Sequence, residues 1–213
     1  MKLSNIFVCF AMTSVDAKLG GLFRGKGTGS EAIGNGNGNP GQDQSQQPGI
    51  SDCSGSCTTE AFDTDPTTWT EDEKALVVSM WAEEKMARDV YLDMYDLHGQ
   101  RIFSNIANSE QNHMSTMKKI MDLAEISLPV DENGATVSED NIGQMAASMQ
   151  GLYDNFINQG TTQPYLMGKT LEEVDIADLE AAIEWVNDDL ASVLENLLSG
   201  SHNHLRAFTQ QLN

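Results

Sequence analysis

Apolar residues recur at alternating three- and four-residue spacing over four long stretches of the chain, the period of a helix that buries one face. The first stripe reads Val77, Met80, Glu84, Ala87, Tyr91, Met94, and the second Phe103, Ile106, Glu110, His113, Met117, Ile120. The third reads Gly168, Glu172, Asp175, Leu179, Ala182, Val186, and the fourth Leu190, Leu194, Leu197, Ser201, His204, Phe208. Thr70-Glu-Asp-Glu73 has the form of a capping box and His98-Gly99 that of a stop, so a first helix is expected from Thr70 to about Leu97. A second is expected from about Ile102 to Ala124, and the very short link between the two makes them antiparallel neighbours. Turn residues at Pro129 and Asp131-Glu-Asn-Gly134 mark a loop over 127–141, followed by a short helix from about Gly143 to Asn158. The third long helix spans about Pro164 to Val186, although Asp175-Ile-Ala-Asp178 has the form of a new cap that breaks it. The fourth runs from Asp188 to about Gln210. No strand-like alternation is found, and the expected fold class is all-α: a four-helix bundle with a short extra helix in the crossover.

Each apolar stripe is interrupted by an acid, an imidazole or both. Glu84 stands alone in the first, Glu110-x-x-His113 in the second, Glu172 and Asp175 in the third, and Ser201 with His204 in the fourth. An ionised carboxylate in an apolar interior is strongly unfavourable unless a positive charge meets it, and a metal ion does so while taking neutral imidazole as a further ligand. Four helices that each aim acid or imidazole inward have the layout of a dinuclear metal site in a bundle core. The same Glu-x-x-His also suits a hydrogen-bonded pair without metal. Neighbouring polar residues fall off the stripes: Glu83, Glu195 and His202 are expected on solvated faces, and Glu173 competes with Glu172. Tyr91 is expected as a core aromatic that hydrogen-bonds a ligand carboxylate.

Composition divides the chain. Residues 1–17 carry one early lysine, a short apolar run and a Val-x-Ala ending, the pattern of a secretory signal. Residues 18–65 are rich in Gly, Asn and Gln and hold almost no large apolar side chain, so a disordered linker is expected before a folded domain at 66–213. Cys53 and Cys57 suit a small disulfide ring in an exported protein, with a metal-binding pair as the rival. The net charge of −20, from 12 basic and 32 acidic residues, repels nucleic acid and anionic lipid and attracts cations. Nucleic acid is therefore excluded as a partner, and stable membrane insertion is not expected because the apolar run of residues 1–17 is too short to span a bilayer.

Glu84-Lys-Met-Ala-Arg-Asp-Val-Tyr91 and Phe103-x-x-Ile-Ala-x-x-Glu110-x-x-His113 resemble the first two helices of rubrerythrin-type members of the ferritin-like superfamily. Ala82 to Tyr91, Asp175 to Glu180 and Glu195 to Phe208 resemble more closely the DUF2202 branch, a family of unknown function, and the likeness extends from about Trp69 to the C-terminus. The resemblance implies a di-iron carboxylate bundle with two iron ions, or manganese or zinc in their place, acting on ferrous iron, oxygen or peroxide. Carried over by position, the ligands are Glu84, Glu110, His113, Glu172 and His204. The pattern departs at Ser201, where the fourth helix should carry a carboxylate, and Asp175 is the candidate to replace it across the seam. The remaining expectations are an exported protein, metal ions with oxygen or peroxide as partners, and a homodimer as the assembly the resemblance allows. The alternative function is a non-catalytic, secreted, acidic module that binds cations on the same scaffold.

Overall fold

The computed structural model describes residues 62–213, and regular structure among them is helical: α1 Glu71–His98, α2 Arg101–Leu123, α3 Gln150–Gly160, α4 Pro164–Ile183 and α5 Asp188–Gln211. A single isolated bridge, Val130 with Thr136, is the β pairing among the described residues. The expected signal segment and the Cys53–Cys57 pair lie outside the described residues. None of the described helices is long and apolar enough to cross a membrane.

The capping box forms as its sequence dictates. Glu73 N donates to Thr70 Oγ1 at 3.2 Å, and Glu73 Oε2 accepts from Thr70 N at 2.9 Å. Its other oxygen accepts from Asn187 N and Nδ2 at 2.9 and 2.7 Å, which ties the α4–α5 turn to the start of α1. At the far end α1 stops at Gly99, whose φ of 68° is the left-handed conformation that glycine adopts without strain.

Long-range contacts set the helix directions. Tyr91 stacks on Phe103, and Glu84 meets His113, so α1 and α2 are antiparallel. Gly168 lies against Phe208 and Glu172 meets His204, so α4 and α5 are antiparallel as well. The crossover returns along the helices: His98 Nε2 lies 2.8 Å from Gly160 O, and Tyr165 at the start of α4 stacks on Phe103 at the start of α2. Thus α1 and α5 point one way and α2 and α4 the other, around one continuous apolar core that includes Trp81, Met114, Met117, Leu179, Leu190 and Leu197.

A buried ionic cluster fastens the crossover. Asp89, with no exposed surface, accepts from Lys85 Nζ at 2.7 Å, from Arg88 Nε and an Arg88 terminal nitrogen at 2.8 and 2.6 Å, and from Gly143 N at 2.9 Å. Lys85 and Arg88 donate onward to Asn141 O and Glu139 O. This clamp explains why the short helix begins at Gln150 rather than near Gly143: residues 139–143 are held as turns, with Gly143 at a φ of 80°. Two further expectations are corrected. α4 runs unbroken through Asp175–Asp178 and ends at Ile183, and packed structure reaches back to Phe62, which stands edge-on to Trp69 while Asp63 and Thr64 donate to Asp189.

Phe208 packs so closely on Gly168 that a β-carbon there would lie 2.5 Å from its ring. Gly168→Ala is therefore expected to cost about 1–3 kcal/mol through overpacking, read as a shift in urea midpoint at unchanged slope. An unchanged midpoint would show that the aromatic end of the core yields freely.

Candidate metal centre

Glu84 on α1, Glu110 and His113 on α2, Glu172 on α4 and His204 on α5 are all buried, none more than 2% exposed. They form two groups of three that share Glu110. In each group, Glu84–Glu110–His113 and Glu110–Glu172–His204, one ligand atom per residue lies within 4.8 Å of the others. His113 Nδ1 is 2.9 Å from Glu110 Oε2 and 3.3 Å from Glu84 Oε2. His204 Nδ1 is 2.9 Å from Glu110 Oε1 and 3.4 Å from Glu172 Oε2. The two imidazole rings lie 5.7 Å apart. Glu110 thus turns one oxygen to each imidazole.

The neighbours orient these groups. The Tyr91 hydroxyl, fully buried, donates to Glu172 Oε1, which leaves Oε2 facing His204. Ser201, one turn before His204, donates to Leu197 O at 3.1 Å, and its hydroxyl also lies beside the Asp175 carboxyl. Asp175 is half-buried and stands outside both groups of three. Burial, with Glu84, Glu172 and Glu110 nearby, still holds its carboxyl well above the ordinary range, against the opposing pull of the Ser201 hydroxyl. Glu195 and His202 are exposed as expected, and Glu173 pairs with Lys169 at the surface. Glu83 departs from expectation: it is half-buried, because α4 packs over that edge of α1.

Burial dominates the electrostatics. It pushes Glu84 up to about 7, an effect that His113 opposes and Glu110 reinforces. It also raises Glu172, against the pull of His204. Burial by itself would raise Glu110 too, but His204 and His113 outweigh it and bring that carboxyl well below the usual range. For His204 burial disfavours the charge, yet Glu110 and Glu172 raise it to about 10.

The donor set fits a divalent metal. Glu84 Oε1 and His204 Nδ1 are buried with no hydrogen-bond partner among the described residues, although the imidazole nitrogen lies within 2.9 Å of a carboxylate oxygen. A buried carboxylate oxygen left without a partner is costly, and a cation beside it removes that cost. Oxygen and nitrogen donors suit iron, manganese or zinc.

The titrations carry a sign that can be checked. A carboxyl raised from 4.5 to about 7 favours the folded state less as pH climbs through that window. The His204 contribution, full below 6.5, is lost as pH approaches about 10. The depressed Glu110 acts oppositely, its contribution being lost as pH falls below the ordinary carboxylate value of 4.5. Metal-free protein should therefore melt highest near mildly acid pH and lower at pH 7 and 9. Metal must displace those protons, so the gap between metal-loaded and metal-free melting curves should widen with pH. Parallel curves would dissociate the titrating groups from metal binding.

These features define an all-helical protein with a buried, paired glutamate–histidine centre. The chain belongs to the family described as "Uncharacterized protein domain (DUF2202)", whose profile matches residues 73–213. It is 39% identical over 151 residues to the uncharacterized protein MJ0754 of Methanocaldococcus jannaschii, a match that spans 67% of this chain and 76% of the relative. The crystal structure of that hypothetical protein superposes with a TM-score of 0.61 at 40% identity, covering 68% of this chain and 81% of the other.

The residues that sequence reasoning passed over are Lys85, Arg88 and Asp89. Their i, i+3, i+4 spacing beside an inward Glu84 was a signal in hand, since three charges so close to a core face need partners from elsewhere.

Proposed function

We propose that the chain is an exported, ferritin-like di-iron carboxylate protein that acts on ferrous iron, dioxygen or peroxide. The observation that carries this reading is Glu110, set between two imidazoles with one oxygen 2.9 Å from each Nδ1. A carboxylate divided in that way is suited to bridge two cations. The helix order adds support: two antiparallel hairpins joined by one long crossover is the connectivity of ferritin-like bundles. Export is supported by the apolar run and Val-x-Ala ending of residues 1–17.

In this scheme Glu84 and His113 would hold one ion, Glu172 and His204 the other, and Glu110 would serve both. Iron, when bound, supplies reversible one-electron change beside a site where oxygen or peroxide can be reduced. The chain's own residues do the rest. Tyr91 keeps Glu172 turned toward His204, and the aromatic cluster of Tyr91, Phe103 and Phe208 closes one end against water.

Full-length protein stripped by a chelator and reloaded should carry about two iron or similar divalent ions per chain by elemental analysis, one for each group of three ligands. No metal above background sinks the reading. Ser201, a hydroxyl where a carboxylate ligand is expected, favours a second reading, a non-catalytic cation-binding module. Two bound ions without oxidation of ferrous iron or consumption of peroxide would select it.

A further inference from the structure

Beside the centre, a row of carboxylates leads from the surface inward between α1 and α4. These helices are antiparallel, and Tyr91 reaches across them to Gly168 and Glu172. Two turns back along α1 from Tyr91 stand Glu83 and Glu84; onward along α4 from Glu172, Asp175 stands about one turn away and Asp178 about two. The register therefore sets the two acidic pairs opposite each other. Glu83, Asp175 and Asp178 are half-buried, whereas Glu84 is 2% exposed, so the row runs from solvent to the first metal ligand.

Elsewhere this protein answers its buried carboxylates with donors. Glu73 takes hydrogen bonds from Thr70 and Asn187, and Asp89 from Lys85, Arg88 and Gly143. The row is different. Glu83 Oε2 and Glu84 Oε1 are both buried with no hydrogen-bond partner among the described residues, and Glu83 Oε1 has a long contact of 3.5 Å with Ser79 Oγ. Burial lifts the Asp178 carboxyl on the facing helix to about 6. Repulsion that the fold leaves uncompensated is relieved by a positive charge, and the half-exposed position lets that charge arrive still partly hydrated.

We propose that Glu83 and Asp178 form an access site for divalent cations, which captures a hydrated ion at the α1–α4 edge and passes it by way of Asp175 to Glu84. This rests on the metal-centre reading above. Capture exchanges some of the ion's waters for carboxylate oxygens of Glu83 and Asp178. Transfer exchanges more of them for Glu84 Oε1, and no covalent or redox change is involved. The charge of −20 on the whole chain raises the cation concentration near this edge, and the row selects where an ion enters.

The test is cobalt(II) uptake by the full-length, chelator-stripped chain, followed by stopped-flow absorbance at low ionic strength. The double variant Glu83→Gln, Asp178→Asn should load about tenfold more slowly, the scale on which local charge changes an encounter rate, and reach the same final cobalt content. Glu83→Asp, which keeps the charge, should retain most of the parent's rate. Because the amides remove a repulsion, the metal-free double variant should melt no lower than the parent, which excludes misfolding as the cause of slow loading. Loading at the parental rate overturns the access site. So does a lower final content at unchanged rate, which would make the pair ligands of the centre itself. A parent chain that takes up no cobalt defeats the metal centre and the access site together, an outcome distinct from either.

Discussion

Loading the protein with a divalent metal raises its melting temperature, and Glu110→Gln or His113→Ala removes most of that rise. The chelated protein holds three buried glutamates, Glu84, Glu110 and Glu172, against two imidazoles, and it leaves Glu84 Oε1 without a partner among the described residues. A ligand that binds only the folded state stabilises it by about 2.7 kcal/mol when its free concentration is a hundredfold above the dissociation constant. For a folded part of this size that corresponds to roughly 5–10 °C. The readout is the metal-dependent increment and not the absolute melting temperature, because Glu110 also compensates His204 in the metal-free protein. Glu195→Gln and His202→Ala, both exposed on α5, are the matched controls and should leave the increment in place. Equal loss from inner and outer variants means that cations are held by diffuse surface charge, and the non-catalytic reading takes over. Inner variants that melt lower in a parent without any metal response would leave Glu110 and His113 as a structural hydrogen-bonded pair.

Asp89→Ala should be the most damaging single substitution away from the centre. Asp89 is fully buried and is the common acceptor of Lys85, Arg88 and the Gly143 amide. Its removal leaves two cations in an interior that cannot solvate them, a loss of about 3–5 kcal/mol for a buried pair broken on one side. The crossover loses an anchor at the same time, so amide exchange should speed up around residues 139–143, where Lys85 and Arg88 hold the backbone. Urea unfolding read by circular dichroism gives the first quantity and hydrogen exchange the second. A cost below about 1 kcal/mol, the range of exposed ion pairs, would mean that water reaches the cluster.

Burial on α1 follows helical phase only in part. Glu84 is inward and Glu83 was expected in solvent, about 100° away around the helix. That angle fails to predict exposure because α4 covers the neighbouring edge, and the position of α4 depends on how a long crossover returns. The start of α3 shows the same dependence: Gly143 has helix-compatible neighbours but is held by Asp89, 54 residues earlier.

Periodicity and end signals belong to the chain itself, and they set the four long helices and the inward faces of Glu84, Glu110, His113, Glu172 and His204. Helical phase and capping are local, governed by residues within a turn or two, as the Thr70–Glu73 box and the stop at Gly99 both show. The pairing of atoms across helices is not local. His113 meets Glu84 over 29 residues and Tyr91 meets Glu172 over 81, so that the division of Glu110 between two imidazoles depends on helix register and crossover path. Only the tertiary structure decided that Asp175 stands outside both groups and that Glu83 lies opposite Asp178. Each of those outcomes is set by the packing of one helix against another, for which a single stripe of apolar residues carries no register.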